Sequence, residues 1–262
     1  MRVLLFTCLA AVFISCNSSP KKDPNIAMDD TARMDIAPAD TKPAFTITPV
    51  KITASDIPAD IKVKGIVQEA WKWNDELGEN IFITSYVALH NDKNKNEYGE
   101  ESQTAEIYAY HYTNKDVGYT LVWQMNDAEK ACAFDVTCGF IPGAATITDL
   151  DKDGMAEVKV QYSLACRSDV SPAVMKLNLH EGNEQYVLKG LMWLKSSPED
   201  KFTVTERDAN LESLADYNKT DEEYMKTFGR YESEKSFSGT PSEFLPYARS
   251  EWMKYVIEKM GE

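Results

Sequence analysis

Alternation is the constraint that most limits what this chain can become. From about residue 60, one run after another places like side chains at every second position. In "IFITSYVALH", Ile81, Ile83, Val87 and Leu89 share one side. In "AEIYAYHYT", Tyr108, Tyr110 and Tyr112 fall on one side, with Ile107 and Ala109 on the other. "YTLVWQMN" groups Tyr119, Leu121, Trp123 and Met125. A later run sets Ala156, Val158, Val160, Tyr162 and Leu164 against Glu157, Lys159, Gln161 and Ser163. Side chains of an extended backbone point to opposite faces in turn, so a period of two marks strands. A polar face opposite an apolar one predicts an antiparallel sheet with one wet side. "GIVQEAWKW" reaches the next strand through the turn "NDELGEN", and "AVMKLNLHEGNEQYVLKGLMWLK" reads as a hairpin about Glu181-Gly182-Asn183.

The last sixty or so residues change period. "KTDEEYMKTFGRY" has Thr220 as N-cap, Glu223 three positions on and Gly229 as stop, which predicts a short helix. In "GTPSEFLPYARSEWMKYVIEKMGE", Thr240 is placed to cap, Pro241 to open and Glu243 to close the box. Phe244, Ala248, Trp252, Tyr255 and Val256 follow as an apolar stripe at helical spacing. Pro246 comes early enough to be tolerated. The expected fold is therefore mainly β, an antiparallel meander or sandwich, with C-terminal α-helices packed on it. Residues 46–195 form the β domain, and 196–262 a helical extension of the same domain.

The first residues stand apart from that fold. Arg2, the apolar run Val3 to Phe13 and Ser15-Cys16 read as an export leader, residues 1–15, too short to span a bilayer, which takes about 20 apolar residues. A cysteine at the cleavage point marks Cys16 as the acylated first residue of a bacterial lipoprotein. Residues 16–45 then form a flexible tether, rich in Pro, Asp, Lys and Ala, which anchors the chain to a membrane through its lipid. The expected location is the cell envelope, on the periplasmic or the outer face. Removing Arg2 with the leader takes the net charge from −14 to −15. That charge repels phosphate backbones and excludes nucleic acid as a partner, whereas divalent cations suit it. Cys8 leaves with the leader. Cys132, Cys138 and Cys166 remain, an odd number in an oxidising compartment, so one intramolecular disulfide leaves one thiol.

"TDLDKDGMAEVKVQY" carries the sharpest chemical signal. Asp149, Asp151 and Asp153 occupy loop positions 1, 3 and 5, Gly154 position 6 and Glu157 position 9. Alternate carboxylates in a tight turn converge on one point, and Met155 at position 7 offers its carbonyl. Such an all-oxygen cage suits a hard cation, calcium above all, in a structural role. An EF-hand would need an acid at position 12 and a helix beyond; here Val160 stands in a strand. The loop instead resembles the strand–loop–strand calcium turns of integrin-type and FG-GAP repeats, over about ten residues. "HNDKNKNEYGEE" echoes the pattern with Asp92, Asn94, Asn96 and Glu100, but Glu97 replaces the turn glycine, and it reads as an exposed loop.

"YSLACRSDVSP" follows the same strand. Arg167 and Asp169 are loop candidates at a strand end, where function often sits; the simpler reading is an Arg167–Asp169 pair that shapes the turn. With "AEIYAYHY", "EKACAFDV" and "ITDLDKDGMAEVKVQYSLACRSDVSPAVMKLNLHEG" in hand, residues 65–195 are similar to a Bacteroidota lipoprotein family that carries the label surface polysaccharide biosynthesis protein. The resemblance implies a link to surface glycan rather than a particular reaction. It also implies a Cys132–Cys166 bridge; close spacing keeps Cys132–Cys138 as the rival.

No nucleophile elbow, zinc-protease helix, phosphate loop or dinucleotide fingerprint occurs. His90, His111 and His180 lie in separate segments. The expected function is a lipid-anchored, non-catalytic envelope protein that supports surface polysaccharide assembly, with polysaccharide or assembly proteins as partners. Trp71, Trp73, Tyr110 and Trp123 are candidates for stacking on sugars. The alternatives are a carbohydrate-active enzyme using paired carboxylates, and a purely structural lipoprotein.

Overall fold

A computed structural model describes residues 46–258, apart from positions 116, 196, 198, 216, 218 and 219. The expected leader, the acylated Cys16 and the tether to residue 45 lie outside the described residues. Strands β1 (Val50–Ile52), β2 (Ile66–Asp75), β3 (Gly78–Asn91), β4 (Gln103–Asn114) and β5 (Thr120–Cys132) form one sheet in sequence order. Each pairs antiparallel with the next, a plain meander. The β2–β3 turn depends on Gly78, whose φ is +117° and whose added Cβ would lie 2.7 Å from the carbonyl oxygen of Asn114.

The second sheet takes β6 (Asp135–Phe140), β7 (Thr146–Thr148), β8 (Glu157–Arg167), β9 (Val174–Glu181) and β10 (Glu184–Leu191). Its order is β10-β9-β8-β6, with β7 also pairing β8. The hairpin turns between Glu181 and Glu184. One apolar core lies between the sheets. Trp73, Phe82, Ile107, Ala109, Trp123 and Met125 face Ala156, Val158, Val160, Tyr162 and Leu164. Cys132 at the end of β5 and Cys166 in β8 are joined with Cα atoms 5.6 Å apart, linking one sheet to the other, and Cys138 keeps a free, half-buried thiol.

Both outer faces are covered as well. Ile52, Ile57, Ile61 and Val63 pack on Ile81, Ile83 and the ladder Tyr108, Tyr110, Tyr112. On the other side Met175, Leu177, Leu179 and Leu188 meet Tyr231, Phe237 and the stripe Phe244, Ala248, Trp252 and Val256. That stripe belongs to α1 (Phe244–Tyr255) and its C-cap Val256, and short β11 (Trp193–Leu194) and β12 (Ile257–Glu258) pair in parallel beyond it.

Here the expectation of a wet face is corrected. Glu157 and Lys159 have no exposed surface and Gln161 has 1%. Alternation reports the polarity of the side chains, and it does not report what folds over them later in the chain. Lys159 Nζ pairs with Glu251 of α1, bonds Gln161 Oε1 at 3.0 Å and lies 5.1 Å from the ring centre of Tyr255.

The helical boundaries also shift. Asp221–Thr227 after Thr220 is a 3-10 helix rather than an α-helix. Thr240 does not cap α1; its hydroxyl donates to the carbonyl of Phe237, and Glu243 stands at the N-cap. The turn that Thr240 and Pro241 shape precedes the helix instead of starting it. Pro246 falls in the first turn of α1, where a backbone N–H has no helical partner to lose.

Candidate metal centre

The aspartate loop joins β7 to β8, and the fold holds it at both ends. Thr148 and Glu157 are ladder partners, and Glu157 Oε2 accepts from Thr148 Oγ1 at 3.0 Å and from the Leu150 amide at 2.8 Å. The loop then turns through Lys152 at φ +64° and Gly154 at φ +91°. The Asp153 amide donates to Asp151 Oδ1 at 3.2 Å, and the Met155 amide to Asp153 Oδ1 at 2.7 Å. These bonds fold alternate carboxylates toward one another. One oxygen each of Asp149, Asp151 and Asp153 lies within 4.8 Å of the other two.

The opposite sheet clamps the loop from below. Glu76 donates its amide to the Gly154 carbonyl at 2.9 Å, and Ala156 donates to Asp75 Oδ2 at 3.2 Å. Asp75 is itself buried and also accepts from Trp73 Nε1, the Leu77 amide and Asn80 Nδ2. Asn80 Oδ1 continues to His111 Nε2 at 2.9 Å. Nothing local in the sequence points to Asp75; its role comes from meeting a loop about eighty residues away.

Sequence reading also missed Glu181. It ends β9 directly opposite Glu157 in the ladder, and its carboxylate, that of Glu157 and that of Asp151 form a second set within 4.8 Å. The signal was one of parity. Met175, Leu177 and Leu179 all face the C-terminal layer, and Glu181 continues their side. Like charges directly opposite in a sheet repel. Glu157 Oε1, Glu181 Oε1 and Asp149 Oδ1 are buried with no hydrogen-bond partner. Loss of solvent pushes the Glu157 carboxyl up to about 7. Glu181 is pushed to about 7 by burial and by the charges of Asp151, Asp153, Glu157 and Asp149. Asp151 is raised in the same way, chiefly by burial. A carboxylate is stabilised there by a cation and by little else.

The other candidates separate. Arg167 and Asp169 are not a pair. Arg167 forks onto Glu258 of β12 and reaches the Ser171 carbonyl, while Asp169 Oδ1 accepts from the Ser171 amide at 3.0 Å. Glu258 also takes the Ala173 amide at 2.8 Å, so the arginine ties the loop to the C-terminal strand, an element that sequence proximity does not reveal. Of the aromatics, Trp73, Tyr110 and Trp123 are buried. Trp71 is half-buried beside a cleft of about 320 Å³ that Phe82, Ile147 and Thr148 also line, and its buried indole N–H has no partner. His111 and His180, far apart in sequence, converge on Trp123 between the sheets, and His90 lies away on the surface. Among the described residues no helix is long and apolar enough to cross a membrane.

Comparison with protein families, curated proteins and solved structures yields no match.

Proposed function

We propose that the protein is a non-catalytic, lipid-anchored envelope module that supports surface polysaccharide assembly, with a structural calcium ion in the Asp149–Glu157 loop. One observation carries the calcium reading: buried, unpartnered carboxylate oxygens in a turn whose amides are already spent on folding the loop. Oxygen-only donors favour calcium over zinc or copper, which prefer nitrogen and sulfur. Asp149, Asp151 and Asp153 would hold the ion, with the Met155 carbonyl and Glu157 completing the set. The ion's contribution is charge neutralisation that fixes the β7–β8 connection.

The envelope placement is supported by the leader-like pattern of residues 1–15 and by a disulfide, a bond that persists in oxidising compartments. Support for a glycan role is the half-buried Trp71 beside its cleft, together with the resemblance across residues 65–195. Thermal denaturation of the full chain tests the calcium reading. Millimolar Ca²⁺ raises the Tm by several degrees over EGTA in the wild type, and Asp149→Asn shrinks the difference. A Tm that ignores both additions removes the calcium. A screen against purified surface glycans tests the second half: binding that Trp71→Ala eliminates supports it, and absence of binding leaves a purely structural lipoprotein.

A further inference from the structure

We propose that Asp151, Glu157 and Glu181 form a second divalent-cation centre beside the loop trio, joined to it through the Asp151 carboxylate. The proposal builds on the calcium reading of the loop and adds a site contributed by another hairpin. Glu181 comes from β9, so this centre would couple the loop to the β9–β10 hairpin as well as to β8.

Geometry comes first. Ligands of a calcium ion lie about 2.3–2.6 Å from it, so any two are at most about 5 Å apart. The trio Asp149, Asp151, Asp153 meets that limit, and so does the trio Asp151, Glu157, Glu181; the two sets share Asp151 alone. Two centres bridged by one carboxylate satisfy both sets, and this arrangement reassigns Glu157 from the loop ion to the second centre.

Burial is the second, independent observation. Glu157 is fully buried, and one of its oxygens is already committed to Thr148 and Leu150. The other, Oε1, has no partner, and neither has Glu181 Oε1 across the ladder. A buried acceptor without a donor is costly, and two on directly opposed residues more so.

Charge supplies the third argument. Five carboxylates gather here, and one divalent ion would offset two of the five charges. Two such ions offset four. No side-chain cation does this work: among the described residues no salt bridge reaches Glu157 or Glu181, and Lys159, next along this face of β8, is committed to Glu251 and Gln161. The ligand class is a hard divalent cation bound by oxygen, with calcium as the probe.

The test is metal stoichiometry on the full chain, by equilibrium dialysis with Ca²⁺ and native mass spectrometry. The expected result is two ions per chain, falling to one in Glu181→Gln and to one in Asp149→Asn. One ion per chain that Glu181→Gln retains overturns the second centre and leaves the loop reading intact. One ion lost in both variants means a single shared centre and overturns the proposal. No bound ion overturns both readings. Folding is controlled within the same variant. Because it removes one of two opposed buried charges, Glu181→Gln should melt at or above the wild-type Tm in EGTA and below it in Ca²⁺. A Tm lowered equally in both conditions marks Glu181 as a packing residue and counts against the second centre.

Discussion

Lys159 of β8 and Glu251 of α1 form an ion pair beneath the C-terminal helix, where the lysine has no exposed surface. The lysine's ammonium also lies over the rings of Tyr247 and Tyr255. Loss of solvent lowers the Lys159 pKa, and Glu251 opposes that shift. This contact lets a polar strand face accept a helix.

Removing one partner leaves the other charge buried and alone. Glu251→Leu should therefore destabilise the fold by about 3–5 kcal/mol, whereas Lys159→Met with Glu251→Leu should recover most of that loss. Urea unfolding of the single and double variants measures it. A single variant as stable as the wild type would show that the helix does not rely on the pair.

The histidine cluster predicts acid sensitivity. His180 stacks on Trp123 at 3.9 Å, and His111 lies 5.2 Å from Trp73. Burial holds His180 down at about 4 and His111 at about 3, the latter lowered further by the charge of His180. Unfolded, both titrate near 6.5, so below that pH the unfolded chain binds more protons. Stability is full above about pH 6.5 and is lost as pH falls toward 4. For His180 the complete loss is on the order of 3 kcal/mol. Because neither ring nitrogen of His180 has a partner, His180→Phe gives up no hydrogen bond. It should flatten part of the Tm-versus-pH slope between pH 6.5 and 4, in calcium throughout. An unchanged slope would assign the acid lability elsewhere.

The Cys132–Cys166 bridge closes a loop with a sequence separation of 34 and ties two sheets together. Reduction, or the double change Cys132→Ala with Cys166→Ala, should cost about 3–4 kcal/mol by restoring freedom to the unfolded chain. Guanidinium denaturation with and without reductant checks this, with Cys138→Ala as background so that the spare thiol cannot exchange.

Gly190 in β10 lets the C-terminal layer approach. A Cβ there would meet the Arg230 carbonyl oxygen at 2.0 Å, and that same carbonyl accepts from the Leu191 amide at 3.1 Å. Gly190→Ala should destabilise by about 1–3 kcal/mol or more, since backbone rather than a mobile side chain must yield. Gly139→Ala in β6, with open space around it, should be neutral or slightly stabilising. Equal Tm values for the two variants would contradict this packing.

The sequence by itself determined what depends on neighbours along the chain. Period-two alternation marks strands because the extended backbone turns successive side chains to opposite faces, and the meander with its hairpin at Gly182 was legible that way. The stripe of α1 was legible for the same kind of reason, and so was the Asp149–Asp151–Asp153 turn, whose converging oxygens come from residues two apart. Tertiary structure decided the rest. Whether the Glu157–Lys159–Gln161 face is wet depends on α1 arriving from the end of the chain. The pairing of Arg167 with Glu258 rather than Asp169 depends on β12. Glu181 opposite Glu157, Asp75 beneath the loop, and His111 beside His180 arise from strand register and sheet stacking. Those contacts join residues with no local relation, so no spacing in the sequence encodes them.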